Sequence, residues 1–233
     1  ASHSGSVDHI SGVREFLAKF SLDESHLRCA FDLPLGEVER KLWGENPPER
    51  IAMNCSGKHA GMLATCVING WDTSNYLEIN HPLQIAIKRE IEESSNSKSV
   101  NDTFDGCGAP LFAVSLQALA NAIRSIVESD DDASRAIVAA MSTHPEMVAG
   151  NGRLSTQWMR AVPGLIMKEG AEGIEVCALP DGRVIAIKII DGSWRPVAPI
   201  IMEIFKRWGI SMPDESVKIY GGTSVIGEVI ANI

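Results

Sequence analysis

The 233-residue sequence has no long apolar run and no basic cluster, and both absences narrow its possible functions. Its apolar stretches fall far short of the roughly 18 residues that a membrane-spanning helix needs. No run of Lys and Arg exceeds two residues, as at Lys88-Arg89, and the formal net charge is −9. A nucleic-acid or anionic-membrane surface is therefore not expected, which leaves small-molecule chemistry or protein contacts.

Cysteine is also scarce, with five residues at positions 29, 55, 66, 107 and 177. An odd number at these spacings does not match a disulfide framework. The N-terminus has neither the basic nor the apolar region of a secretion signal. We therefore expect a reducing compartment and a cytoplasmic location.

The order of helical and strand patterns predicts an α/β fold of the mixed α+β kind, with a sheet flanked by helices. Amphipathic spacing predicts helices over residues 7–20, 56–68, 82–93, 111–127, 133–141 and 200–208. The helix over 111–127 is expected to begin at Pro110. Segments rich in β-branched residues predict strands over 173–179 and 184–190, joined by a hairpin turn.

The segment 54–59, Asn-Cys-Ser-Gly-Lys-His, is the most informative part of the sequence. Ser56 suits a helix cap, which places Cys55 and Lys58 at a helix N-terminus. There the helix dipole favours a thiolate and a neutral amine. Both species are metal ligands, although an amine with an ordinary pKa of about 10.4 needs burial or a nearby cation to lose its proton.

A second candidate lies in the turn 105–110, Asp-Gly-Cys-Gly-Ala-Pro. Cys107 and Cys55 with a nitrogen donor would form a three-ligand site with an open position, which is typical of catalytic zinc. The competing interpretation is that both cysteines are small buried apolar residues. Asp105 can accept a hydrogen bond beside a metal or simply form the turn.

Three further segments carry polar groups that have both a structural and a functional interpretation. Segment 1–5, Ala-Ser-His-Ser-Gly, can cap the first helix or supply reactive groups, and the glycine-rich loop 144–153 can line a site. Lys168 follows an apolar run, where it is either a lysine with its amine in solvent or an activating base.

Taken together, these motifs resemble the asparaginase II family, the rhizobial-type (class 3) L-asparaginases. The matching segments, in chain order, are 1–5, 54–59, 105–108 (Asp-Gly-Cys-Gly), 144–148 (His-Pro-Glu-Met-Val) and 168–171 (Lys-Glu-Gly-Ala). The resemblance implies a fold similar to serine β-lactamases and penicillin-binding proteins, and a homodimer. It also implies hydrolysis of L-asparagine to L-aspartate and ammonia.

Residue by residue, the resemblance assigns the site as follows. Cys55, Lys58 and Cys107 correspond to zinc ligands. Ser2 corresponds to a catalytic serine and Lys168 to its lysine partner. His59 and Asp105 fall at substrate-binding positions. Zinc is then expected to orient or polarise the substrate.

One feature of the family has no counterpart here. Its members carry a Ser-x-x-Lys pair in a segment before the Ala-Ser-His block, and this chain begins at that block. We therefore expect residues 1–233 to form a single catalytic domain without its N-terminal segment. The alternatives are a non-catalytic zinc- or ligand-binding module and, on fold analogy alone, a serine acyl-transferase acting on peptidoglycan.

Overall fold

A computed structural model describes residues 2–233 and divides into two compact units. The first comprises residues up to 118 together with 146–151, and the second comprises 119–145 and 152–233. Helices accompany small antiparallel sheets in both, which confirms the expected α+β class. The single catalytic domain stays a prediction.

The first unit contains three of the six predicted helices, with bounds close to those expected, together with an α-helix over 37–43. They are α1 (Val7–Ala18), α2 (Glu37–Trp43), α3 (Ser56–Asn69) and α4 (Pro82–Ser95). Helix α1 begins after Ser6, whose side chain forms a capping box with His9. Helix α3 ends at Gly70, where φ is +67°, a conformation that glycine adopts at little cost.

Cap positions at the start of α3 differ by one residue from the expectation. Cys55 occupies the N-cap, and Ser56 is the first helical residue, without a capping hydrogen bond from Cys55. Buried residues along α3, including Ala60 and Leu63, pack in the core of this unit with Ile10, Val13 and Leu17 of α1. Helix α3 therefore presents its first turn at a fixed place beside a packed core.

The predicted helix over 111–127 is wrong in its first part. Residues Pro110–Ala113 form strand β2, which pairs antiparallel with β1 (Asn101–Phe104), and α5 spans Leu116–Glu128. A short apolar run does not distinguish a strand from a helix by periodicity alone. Proline is also tolerated at the first position of an edge strand. The true start of α5 is marked by Ser115, whose Oγ accepts from the N–H of Ala118 at 3.1 Å.

The second unit is built around a three-stranded antiparallel sheet. Its strands are β3 (Ile166–Gly170), β4 (Ile174–Ala178) and β5 (Val184–Lys188), in that spatial order. The predicted hairpin corresponds to β4 and β5, whereas β3 was not expected as a strand. Its register places Lys168 opposite Val176 and Glu169 opposite Glu175.

Further helices of this unit pack beside the sheet or follow it. They are α6 (Asp132–Thr143), α8 (Leu154–Ala161) and α9 (Val197–Arg207). The short helical turn α7 (Pro145–Val148), which lies between α6 and α8 in the sequence, belongs to the first unit from residue 146 onward. Helices α6 and α8 contact β3. A second hairpin not expected from the sequence, β6 (Val217–Gly221) and β7 (Ser224–Val229), follows α9.

Two apolar residues of α3 differ strongly in burial, and this difference allows a direct test of the core packing in the first unit. Leu63 is fully buried, whereas Ile68 on the same helix is 71% exposed. Replacing Leu63 with Ala removes buried methyl groups and leaves a cavity, so the free energy of unfolding should fall by about 2–5 kcal/mol. The matched control Ile68→Ala should change it by less than about 1 kcal/mol. Urea denaturation measures both, and equal losses would contradict the assigned core.

Candidate metal centre and catalytic residues

The turn between β1 and β2 carries the second cysteine of the candidate site. Backbone hydrogen bonds from Asp105 N to Ala109 O and from Gly108 N to Asp105 O, both 2.8 Å, close the turn. Gly108 has φ of +89°, which a residue with a side chain rarely adopts. The turn thereby holds Asp105 and Cys107 together, and the Cys107 sulfur lies 3.3 Å from Asp105 Oδ2.

This turn meets the first turn of α3. The Cys55 sulfur, the Cys107 sulfur and an Asp105 carboxylate oxygen all lie within 4.8 Å of one another. Lys58 Nζ donates to Asp105 Oδ2 at 2.8 Å. Both thiols are buried, at 8% and 1% exposure, while Asp105 is half-buried. The two cysteines that are 52 positions apart in the sequence (107 − 55) are therefore neighbours in the fold.

The groups of this cluster shift the pKa values of the two thiols in opposite directions. Hydrogen bonding between them is the main cause that lowers the pKa of Cys55 and raises the pKa of Cys107, and burial raises both. The Lys58 ammonium further lowers the pKa of Cys55. One thiol is thus set to ionise well before the other, which is useful in a metal ligand because the bound species is the thiolate.

Lys58 itself holds its proton in this arrangement. Burial alone would lower its pKa, but the hydrogen bond to Asp105 and the nearby cysteine sulfurs raise it above the usual value. The same ion pair lowers the pKa of Asp105 against the effect of burial. For Lys58 to bind a metal, the cation must therefore displace this proton.

The donor chemistry fits a divalent, thiophilic metal. Two sulfurs within reach of an amine and a carboxylate suit zinc, which accepts sulfur, nitrogen and oxygen ligands in tetrahedral sites. Cys55, Asp105 and Cys107 form a group that could hold a metal ion. Lys58 is joined to that group through Asp105. The sequence motifs identified all four side chains, and the fold places a carboxylate oxygen of Asp105 within 4.8 Å of both sulfurs.

His59 is fully buried next to this cluster. Its Nδ1 lies 2.7 Å from the hydroxyl of Tyr76, which in turn accepts from the backbone N–H of Arg28 at 3.0 Å. His59 Nε2 is buried, and no group among residues 2–233 forms a hydrogen bond of good geometry with it. The imidazole also lowers the pKa of Cys107 and so partly offsets the rise caused by Cys55 and by burial. His59 therefore offers a buried nitrogen on the Cys107 side of the cluster.

The two residues predicted to be catalytic lie in different units. Ser2 is half-buried and belongs to the first unit. Lys168 lies on β3 in the second unit, half-buried, with its amine donating to the carbonyl of Glu169. Each has a defined position within its own unit, and their pairing stays a prediction.

A buried carboxyl near Lys168 was not anticipated from the sequence. Glu175 on β4 is 2% exposed, and its Oε1 has no hydrogen-bond partner within the described chain. Burial is the largest cause that raises its pKa to about 8, followed by repulsion from Glu169, while Lys168 acts in the opposite direction. The available signal was an acidic residue inside the apolar strand pattern of residues 173–179.

Comparison with known protein families gives a match over nearly the whole chain. The family model described as L-asparaginase II matches residues 1–225. A search of curated proteins finds no match for the chain. Over residues 2–233, no helix combines the length and apolar character required to cross a bilayer.

Metal binding by the cluster can be tested by removing one thiol. Cys107→Ser should weaken Co²⁺ binding by about 100-fold or more, since even the loss of an outer partner costs about 10–100-fold. Cys66→Ala, at a fully buried cysteine on α3 outside the cluster, serves as control and should bind Co²⁺ normally. Thiolate-to-cobalt charge-transfer absorption reports both, and unchanged binding by the Cys107 variant would contradict the site.

The raised pKa of Glu175 predicts that the free energy of unfolding depends on pH. The unfolded chain loses this proton near its ordinary pKa of 4.5, whereas the folded protein keeps it up to about pH 8. The folded state thus binds the extra proton, and the free energy of unfolding should fall as pH rises through this window.

Substituting Glu175 with Gln should flatten this slope and make the variant more stable than the wild type near pH 8. The exposed Glu172→Gln substitution, in the turn after β3, controls for the loss of one acidic group. Urea denaturation at pH 5 and pH 8 measures the slopes, and equal slopes for wild type and Glu175→Gln would contradict the buried carboxyl.

Proposed function

Because the chain belongs to the L-asparaginase II family, we propose that it hydrolyses the side-chain amide of L-asparagine to L-aspartate and ammonia. The observation that carries this proposal is the family match over residues 1–225. Support of a different kind comes from Cys55, Asp105 and Cys107, which lie together although they are distant in the sequence. An accidental arrangement of unrelated buried cysteines would not require this convergence with a lysine and a carboxylate.

In the proposed reaction, Ser2 is the nucleophile and Lys168 its base. Ser2 Oγ attacks the amide carbon, and its proton passes to the Lys168 amine. The carbon–nitrogen bond then breaks, the proton moves to the leaving nitrogen, and ammonia departs. Water attacks the resulting ester of Ser2, which regains its proton as L-aspartate leaves. To accept this proton, Lys168 must enter the reaction as a neutral amine.

The metal cluster is proposed to bind and orient the substrate. Zinc held by Cys55, Lys58 and Cys107 would supply a positive charge that orients or polarises the substrate. Asp105 holds the Lys58 amine until a metal binds, and then becomes available to accept from the substrate's ammonium group. His59 offers its buried Nε2 as a further polar contact. These are the roles that we assign to the two substrate-binding positions.

The proposal extends to a cytoplasmic homodimer. All five cysteines are free thiols, as expected of a protein in a reducing compartment. The family resemblance supports the dimer.

One observation favours a second candidate function, a metal-binding module without catalysis. Cys55, Lys58, Asp105 and Cys107 all belong to the first unit, whereas Lys168 belongs to the second. A metal site can therefore be complete within one unit without the proposed base. This alternative predicts bound metal without amide hydrolysis.

Ammonia release from L-asparagine distinguishes these functions. We expect Lys168→Ala to lower kcat by about 100-fold or more, which is the usual contribution of a positioned acid or base. Ser2→Ala should lower it at least as much, because it removes the nucleophile. Lys188→Ala is the matched control, because Lys188 is an exposed lysine on the neighbouring part of the same sheet. Its activity should equal that of the wild type.

The outcomes separate the two candidates. Normal zinc content with no ammonia release by the wild-type protein would support the non-catalytic module. Full activity of both Ser2→Ala and Lys168→Ala would contradict the catalytic roles assigned here.

A further inference from the structure

His3, next to the proposed nucleophile, is buried and contacts several separate parts of the first unit. It is 2% exposed and stacks on His9, with ring centroids 4.8 Å apart. Its backbone N–H donates to Asn54 O at 3.1 Å, and its Nε2 lies 2.9 Å from Ser56 Oγ. Asn54 and Ser56 are the two neighbours of Cys55. A single residue therefore bonds to the chain on both sides of a proposed metal ligand.

The protonation of the imidazole follows from its partners. The backbone N–H of Gly5 donates to His3 Nδ1 at 3.1 Å, so Nδ1 carries no proton. Nε2 must then hold the proton of the neutral ring and donate it to Ser56 Oγ. Burial, with a contribution from His9, lowers the pKa of His3 to about 3, in agreement with a neutral ring. Both ring nitrogens are used, one toward the segment of Ser2 and one toward α3.

The rest of this segment is held equally firmly. Ser4 donates from its backbone N–H to Ala149 O at 2.6 Å and from its Oγ to the same atom at 3.0 Å. Gly36 N donates to Ser4 O at 2.9 Å. Gly5 has φ of +80°, and a Cβ on it would come within 3.0 Å of Pro34. Segment 2–5 is thus fixed at several points, and His3 is its link to the start of α3.

We propose that His3 is a positioning residue that couples the segment bearing Ser2 to the first turn of α3 through its hydrogen bond to Ser56. The inference rests on the function proposed above for the role of Ser2, but its effect on the metal cluster does not. Because this bond holds the two segments to each other, its loss should disturb the placement of both. Metal affinity should fall because Cys55 is less well placed, and turnover should fall because Ser2 is.

Four variants distinguish the effect of the hydrogen bond between His3 and Ser56 from the effect of packing around the His3 ring. His3→Leu keeps much of the volume but removes both ring hydrogen bonds, while His3→Gln retains a donor able to reach Ser56 Oγ. Ser56→Ala removes the acceptor. His9→Leu is the matched control, since it removes the other ring of the stacked pair, and His9 bonds to Ser6 and Glu146 rather than to residues 54–56.

Co²⁺ affinity is the primary measurement. Thiolate-to-cobalt charge-transfer absorption in the full protein monitors this binding. We expect His3→Leu to weaken binding by about tenfold, as the loss of one buried hydrogen bond implies. His3→Gln should return it to within about threefold of wild type on the same scale. Ser56→Ala should reproduce the weakening, and adding it to His3→Leu should weaken binding little further. His9→Leu should lower the melting temperature but keep normal Co²⁺ affinity.

Steady-state kinetics provide the second measurement. With L-asparagine and zinc in excess, so that the metal cluster stays loaded, His3→Leu should lower kcat by about tenfold with little change in KM, because the interaction positions the nucleophile rather than the substrate. A wild-type protein that binds Co²⁺ but releases no ammonia would contradict the proposed function, and Co²⁺ affinity would still decide the coupling.

Several results would overturn the inference. Normal Co²⁺ affinity in His3→Leu would do so, as would a His3→Gln variant as weak as His3→Leu. Equal weakening by His9→Leu would mean that packing, and not the bond to Ser56, is responsible. A wild-type protein that fails to bind Co²⁺ would also contradict it. Should His3→Leu fail to fold, Ser56→Ala and His3→Gln test the same bond.

Discussion

The ion pair between Lys58 and Asp105 joins the start of α3 to the β1–β2 turn, and the chemistry of the first unit depends on this contact. The two residues are 47 positions apart, so no local element brings them together. With this contact in place, Cys55 and Cys107 converge on the same point. Both cysteines are also buried in the same core cluster, so packing and the ion pair together hold the two thiols in place. The helix end or the hairpin turn alone would present a single thiol.

The helices were predictable because their signals are local. Proline at the start of α4, Asp131 before α6 and Gly70 after α3 each mark a boundary through a backbone constraint or a capping bond. The same reasoning was wrong at Pro110, where pairing with β1 decides the conformation of a short apolar run. Strand β3 was not predicted because Lys168 and Glu169 interrupt its apolar pattern, and its pairing with β4 comes from the fold.

Residue chemistry at the candidate site was predictable in part. Cys55, Lys58, Cys107 and Asp105 stand out as residue types in characteristic turns and helix ends, but their distances could come only from tertiary structure. His3 and Glu175 show the converse, since a short polar segment and one acidic residue inside an apolar strand pattern assign no role to either side chain. Their importance comes from their burial and from the groups that surround the His3 ring and the Glu175 carboxyl. Neither can be read from a linear sequence.

The central claim is that two cysteine sulfurs from different elements share one metal ion. X-ray absorption at the zinc edge of the purified, zinc-loaded protein tests it most directly. The account predicts two sulfur ligands at about 2.3 Å together with nitrogen or oxygen ligands. A zinc environment without sulfur, or one with a single sulfur, would contradict it.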